Sequence, residues 1–190
     1  MSQYVYSPIW LKPESIRLLT LIPDEDQTSS INCRLMDYSL LDVEEHDVHL
    51  YEAISYAWGD QTKTFPIYID GRHLNVTANL HDGLLRLRNR YIERIIWVDA
   101  ICINQEDLRE RGSQIQLMAK IYAKAHQVNV WLGESAHDSS QALQQICLAS
   151  DTPQNEANHS INQQAILALL QRPWFRRIWV RQTQSLVHSY

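Results

Sequence analysis

The chain has 190 residues, 45% hydrophobic and 21% charged, with a formal net charge of −5. That make-up is that of an ordinary globular protein of one domain or a little more, and it excludes a disordered chain and a broad basic surface for a phosphate backbone, so no nucleic acid partner is expected. Five glycines, where about 13 would be usual, count against phosphate-cradling loops, and six tryptophans supply aromatic walls. Cys33, Cys102 and Cys147 form neither a disulfide framework nor a C-x-x-C metal pair, which fits a reducing compartment. No apolar run approaches the roughly 20 residues that span a bilayer, and Met1 to Leu21 lacks the basic start of a secretory signal. No membrane segment is expected, and the chain reads as cytosolic or nuclear, with the cytoplasm as the expected location.

Ile16 to Leu21 is a short apolar run closed by Pro23, Ile31 to Met36 alternates at period two, and Tyr51 to Tyr56 follows in the same style, so all three are expected strands. Between them, the acidic stretch Asp42 to His49 carries His46 and His49; a solvated turn is its plainer reading, and no metal site is assigned. Phe65 to Asp70 and His73 to Thr77 flank a turn whose Gly71 tolerates the positive φ of a tight hairpin. Thr77 then caps a helix from Ala78 towards Asn89, with Leu80, Leu84 and Leu87 on one face.

Arg94 to Val98 reads as a strand buried on both faces. It ends in Asp99-Ala-Ile-Cys-Ile-Asn-Gln105 before a long helix opens at Glu106, with Asn104 as its N-cap. Leu108, Ile115, Met118, Tyr122 and Ala125 share a stripe on that helix, and Gly112 hints at close packing. Val128 to Leu132 is another expected buried strand. Strand, helix and strand imply a parallel pair with a right-handed crossover, with Arg94 to Val98 and Val128 to Leu132 as neighbours. The fold expected is α/β in three layers, a mostly parallel sheet flanked by helices with an added hairpin. Further helices are expected at Gln141 to Ala149, at Ile161 to Leu170, and from Pro173 through Phe175, Ile178, Trp179, Gln182 and Leu186. The chain is expected to be a fragment from the N-terminus of a longer protein.

Common catalytic signatures such as G-x-S-x-G, Walker A, G-x-G-x-x-G and H-E-x-x-H are missing. Position is the remaining guide: parallel sheets bind ligands outside the carboxyl ends of their strands, where Asp99 and Trp58-Gly59-Asp60 stand. Asp99 could orient a ribose hydroxyl or a cation, or accept backbone N–H groups from its own turn. Asn104 and Gln105 open a helix, but Glu106 and Asp107 already make its first turn negative, so capping is favoured over anion binding. Cys102 has no histidine nearby in sequence and reads as a small buried thiol rather than a nucleophile. Trp97, Trp131 and Trp179 read as core aromatics, and Trp58, beside a glycine, as a platform for a ligand ring.

The motifs Tyr51-Glu-Ala-Ile-Ser-Tyr-Ala-Trp-Gly-Asp60, Ile96-Trp-Val-Asp-Ala-Ile-Cys-Ile-Asn-Gln105, Glu110-Arg111 with Gln114, Met118, Ile121-Tyr122 and Ala125, and Val130-Trp-Leu-Gly133 occur in order, and together they resemble the heterokaryon incompatibility (HET) domain of filamentous fungi. The resemblance covers about Tyr51 to Leu186 and implies a single domain over residues 1–190 with its motifs in 51–187. Domains of this family lie at the N-terminus of larger proteins and trigger cell death when unlike hyphae fuse. They are considered remote relatives of Toll/interleukin-1 receptor (TIR) domains, which have a flavodoxin-like fold and in several branches cleave NAD.

The resemblance therefore implies a cell-death effector in an innate-immunity-like response, with NAD as substrate or ligand and no cofactor required. It also implies self-association and regulatory protein partners. The family's last motif, Arg-x-Trp-x-x-Gln-Glu, matches Arg177-Ile-Trp179-Val-Arg-Gln182, but Thr183 stands where the acid is expected. The implied catalytic positions are Asp99 and Thr183. The implied ligand contacts are Ser55, Tyr56, Trp58, Gly59, Asp60, Cys102, Asn104, Gln105 and Trp179. With the acid replaced, NAD glycohydrolase activity is in question, and a non-catalytic signalling and self-assembly module is the alternative.

Overall fold

Ser15–Leu21 (β1) forms a strand around the apolar Ile16, Leu18, Leu19 and Leu21, and all seven residues are buried, Arg17 among them. The computed structural model describes residues 2–9, 12–41, 50–134, 139, 142–144, 146–147 and 163–176. The chain divides into two compact units, Met1–Trp131 and Leu132–Tyr190.

In the first unit, Asn32–Ser39 (β2), Glu52–Tyr56 (β3), Thr64–Ile69 (β4), Arg72–Thr77 (β5), Arg94–Trp97 (β6) and Gln127–Trp131 (β7) join β1 in one sheet of order β5-β4-β2-β1-β6-β3-β7. The β4–β5 hairpin turns through Asp70 (φ 49°) and Gly71 (φ 76°), the left-handed pair that matches strand twist. Ala78–Leu87 (α1) is capped by the Thr77 hydroxyl, which accepts from Leu80 N–H. Asp99–Cys102 (α2) is a short turn, and Leu108–Lys124 (α3) is the long helix that leads back to β7.

The sheet is mixed. Strand β3 runs parallel to both β6 and β7, and β2 parallel to β4, while β1 is antiparallel to both of its neighbours. The expected pairing of Arg94 to Val98 with Val128 to Leu132 needs correcting: the two strands are parallel but β3 lies between them. Chain order says nothing about this insertion. Its physical basis is burial, since β3 hides Ala53, Ile54 and Tyr56 and takes an interior place, whereas Val128 and Val130 of β7 remain 45% and 44% exposed at the sheet's edge. Strand β7 is thus an edge strand, not a fully buried one.

Two contacts place the helices. The ring of Tyr122 in α3 meets Trp97 edge-on at 5.5 Å, and Trp97 pairs with Ala53. On α1, a Cβ at Gly83 would come within 3.1 Å of the Trp131 ring, and Trp131 pairs with Tyr56. Ala53 and Tyr56 are three residues apart on one strand, so they face opposite ways. Helices α1 and α3 therefore cover opposite faces, which gives the three layers.

The buried face of α3 follows the apolar stripe at Met118, Tyr122 and Ala125, which pack against the core, but not in the first half of the helix. Leu108 and Ile115 are 71% and 56% exposed, while Glu110 and Gln114 are buried. Gln114 donates to the Ser15 carbonyl at 2.8 Å and Glu110 meets Arg17, so polar partners on β1 and its start decide the helix's rotation. The cap also moves. Asp107, not Asn104, accepts from Arg109 and Glu110 N–H, because α2 and a turn at Asn104 to Glu106 consume the residues before it.

In the second unit, Gln163–Leu170 (α4) buries Ala165 and Leu169 with Ala142, and residues 142–144 and 146–147 are helical. Arg172 gathers the carbonyls of Leu132 and Glu134 at 2.9 and 2.8 Å, and Pro173–Arg176 is a single 3₁₀ turn. Among the described residues no helix is long and apolar enough to cross a membrane. The expected turn at Asp42 to His49, and the helix through Ile178 to Leu186, lie outside the described residues.

Gly112 is exposed in the interior of α3, and a Cβ there would meet nothing within 4 Å, contrary to the close packing expected of it. Gly112→Ala should raise stability by about 1 kcal/mol through reduced unfolded-state freedom. A urea titration with a higher midpoint and unchanged slope would agree; a lower midpoint would place an unseen neighbour there.

Candidate functional site

Strands β3 and β6 are adjacent and parallel, and the chain leaves their carboxyl ends in opposite directions. After β3 it passes through the hairpin to α1 on one face, whereas after β6 it passes through α2 to α3 on the other. Neighbouring strands with connections on opposite faces form a switch point, the place where an open α/β sheet leaves a crevice for a ligand. Trp58 follows β3 and Asp99 follows β6, so both stand there.

They touch. The indole Nε1 of Trp58 donates to Asp99 Oδ2 at 3.1 Å, and Asp99 Oδ1 accepts from Ala100 N–H at 2.8 Å. Asp99 is 8% exposed. Its carboxylate is a structural acceptor, so Asp99 is the turn-former that its sequence position allows. Its own carbonyl accepts from Gln105 Nε2 at 2.8 Å, which folds Gln105 back over the α2 turn.

The loop after β3 is held by a residue that the motifs do not single out. Asn79, in the first turn of α1, donates from Nδ2 to the Ala57 carbonyl at 2.5 Å and accepts from Trp131 Nε1 through Oδ1 at 3.0 Å. Gly59 has φ 74°, and a Cβ there would lie 3.2 Å from Asn79 Cβ, so both conformation and space call for glycine. An Asn just inside a capped helix start was the available signal for this latch, but its targets lie 22 and 52 residues away.

The other proposed positions separate. Ser55 is half-buried on β3, and Tyr56 is 1% exposed within the core. Cys102 is fully buried: its Sγ accepts from Val98 N–H at 3.5 Å, and burial pushes its thiol up to about 12, which makes it an inert core group at neutral pH. Asp60 is exposed, and hydrogen bonds from the Thr62 hydroxyl and N–H hold its carboxyl below the usual range. Asn104 is turned towards α3, donating its N–H to Glu110 Oε1 at 2.6 Å while its Oδ1 accepts from Glu106 N–H. The structure therefore brings together Asp99, Trp58, Gly59 and Gln105, and it draws Tyr56 and Cys102 into the core. Trp179 and Thr183 lie outside the described residues. Among the described residues, no three His, Cys, Asp or Glu side chains gather as a metal set.

Comparison with known proteins shows what the chain is similar to. The family model for heterokaryon incompatibility protein (HET) matches residues 51–183. The heterokaryon incompatibility protein 6, OR allele, of Neurospora crassa is 37% identical over 141 residues, covering 67% of this chain and 20% of that protein. The chain thus spans about a fifth of that relative's length. No solved structure matches.

Removing the Asp99 carboxylate leaves the Trp58 and Ala100 donors without their acceptor. Asp99→Ala should therefore cost about 1 to 3 kcal/mol in urea unfolding. An unchanged midpoint would mean that the two hydrogen bonds contribute nothing to the fold.

Proposed function

The chain belongs to the heterokaryon incompatibility family, and from that membership we propose that it is a cell-death effector domain of fungal non-self recognition whose β3–β6 switch point receives a nucleotide, NAD being the candidate. The observation that carries this reading is the Trp58–Asp99 pair at that switch point. A ribose hydroxyl can donate to the Asp99 carboxylate, an acceptor group that stands at the strand end. The Trp58 indole, its N–H already committed to Asp99, presents a ring for stacking on a base or a nicotinamide.

Cleavage of the nicotinamide–ribose bond builds positive charge on the ribose, and a carboxylate poised beside it is the natural stabiliser. Thr183, at the end of the family match, carries no charge. This chain accordingly binds the nucleotide and cleaves it poorly, since a charge that acts mainly in the transition state affects turnover more than ground-state binding. The second reading is a non-catalytic self-assembly module with regulatory protein partners. It is favoured by the edge position of β7 with Val128 and Val130 half-exposed, because an edge strand is a template for pairing with another chain.

Incubation with NAD separates the readings. The unmodified chain should release little nicotinamide above background while NAD shifts its melting temperature, and Thr183→Glu should gain release. Robust turnover by the unmodified chain would move the acid elsewhere, with the exposed Asp60 and the Asp99 carboxylate the first to test by alanine. Glu110 is not a free acid, being engaged by Arg17. Silence from both proteins and no NAD-dependent shift, with an oligomer in solution, would overturn the nucleotide reading in favour of assembly.

A further inference from the structure

The last turn of α1 and the loop after it carry Arg86-Leu-Arg-Asn-Arg-Tyr91, and Gln27, Arg86, Arg88, Asn89, Arg90 and Tyr91 line a pocket of about 460 Å³. The volume lies in the range of small-ligand sites, roughly 300 to 1,000 Å³. No acidic side chain is among the lining residues. Arg88 is 4% exposed and both of its Nη atoms are committed to the neighbouring loop: Nη1 donates to the Ser29 and Ser30 carbonyls and Nη2 to the Asp26 carbonyl at 3.0 Å, while Nε is buried without a hydrogen-bond partner among the described residues. The nearby carboxylates of Asp24 and Asp26 are held by the hydroxyls of Ser29 and Thr28. Arg86 and Arg90, both exposed, have no hydrogen-bond or ion-pair partner among the described residues.

Arg86 and Arg90 line the same pocket with no acidic side chain among its lining residues, so an anion there would meet two uncompensated guanidinium groups. The loop that carries Arg90 is already shaped. Asn89 Oδ1 accepts from the N–H groups of Tyr91 and Ile92 at 2.9 and 3.2 Å, which leaves its Nδ2 as a donor for a ligand. Tyr91 and Ile92, 71% and 67% exposed, form an apolar flank beside the charges.

We propose that this pocket binds a phosphomonoester or pyrophosphate group, with Arg86 and Arg90 as its charged ligands, Asn89 as a neutral donor and Tyr91 as the flanking ring. Two free guanidinium groups on a chain of net charge −5 suit one compact phosphate group rather than a polymer's backbone. The site is distinct from the switch point: Arg94, at the start of β6, donates to the Leu87 carbonyl beside the pocket, whereas Asp99 follows the other end of that strand.

The test uses the chain itself, with inorganic pyrophosphate as the soluble probe and phosphatidylcholine vesicles with and without phosphatidic acid as the lipid probe. Pyrophosphate should give saturable shifts of the Asn89 and Tyr91 amides in NMR. Arg86→Gln/Arg90→Gln, both exposed positions, should keep the melting temperature and weaken binding by at least about tenfold. Asp99→Ala should leave the pyrophosphate affinity unchanged, so failure here and failure of the nucleotide reading are told apart. Co-sedimentation only with vesicles that contain phosphatidic acid, lost in the double variant, would assign the phosphate to a lipid headgroup; binding of pyrophosphate alone would assign it to a soluble ligand. No saturation in either arm by about 10 mM phosphate groups, or equal binding by the double variant, overturns the site.

Discussion

The turn at the carboxyl end of β6 depends on one buried ion pair, Arg17 with Glu110. Both side chains are almost fully buried, and two parallel bonds of 2.5 and 2.9 Å join them. Charges this deep are costly unless the geometry is bidentate and most of their other hydrogen-bonding sites are filled. Here Arg17 also donates to the Cys102 carbonyl at 3.1 Å and to the Ser7 carbonyl, and Glu110 accepts from Asn104 N–H, while Arg17 Nε is buried without a hydrogen-bond partner among the described residues. The pair thus ties four segments to one point: the stretch before β1, the interior strand β1, the end of α2 and the first turn of α3.

The consequence reaches the site. Asp99 opens α2, Cys102 closes it, and the carbonyl of Cys102 is fixed by Arg17. The turn that carries the Asp99 carboxylate is therefore held from below by a buried charge and from the side by Gln105. The facing loop is held by Asn79 and Trp131. Two independently braced loops meet through the Trp58–Asp99 hydrogen bond, which is the preorganisation that a ligand site at a switch point requires.

Local rules made part of this legible in the sequence. The Asp70-Gly71 turn, the Thr77 cap and the apolar run ahead of Asp99 each depend on neighbours within a few residues, and each stands as expected. What depended on distant partners was not legible. The stripe from Leu108 to Ala125 obeys helical periodicity, yet the helix turns Glu110 inward because its partner lies 93 residues away on β1. The cap stands at Asp107 rather than Asn104 because the Asn104 side chain accepts from Glu106 N–H within its own turn. Ile16 to Leu21 reads as a short apolar run although it contains Arg17; a lone charge in a strand otherwise buried on both faces is itself a signal that a buried opposite charge exists elsewhere. The insertion of β3 between β6 and β7 is a property of the whole sheet, and no local pattern encodes it.

The dependence on the ion pair is open to direct measurement by a double-mutant cycle in urea unfolding with Arg17→Met, Glu110→Leu and the two together. Removing one charge strands the other in the core, so each single change should cost about 3 to 5 kcal/mol, whereas the double variant should cost far less than their sum. Single changes that cost under about 1 kcal/mol, or losses that simply add, would contradict the account and remove the anchor from beneath Asp99.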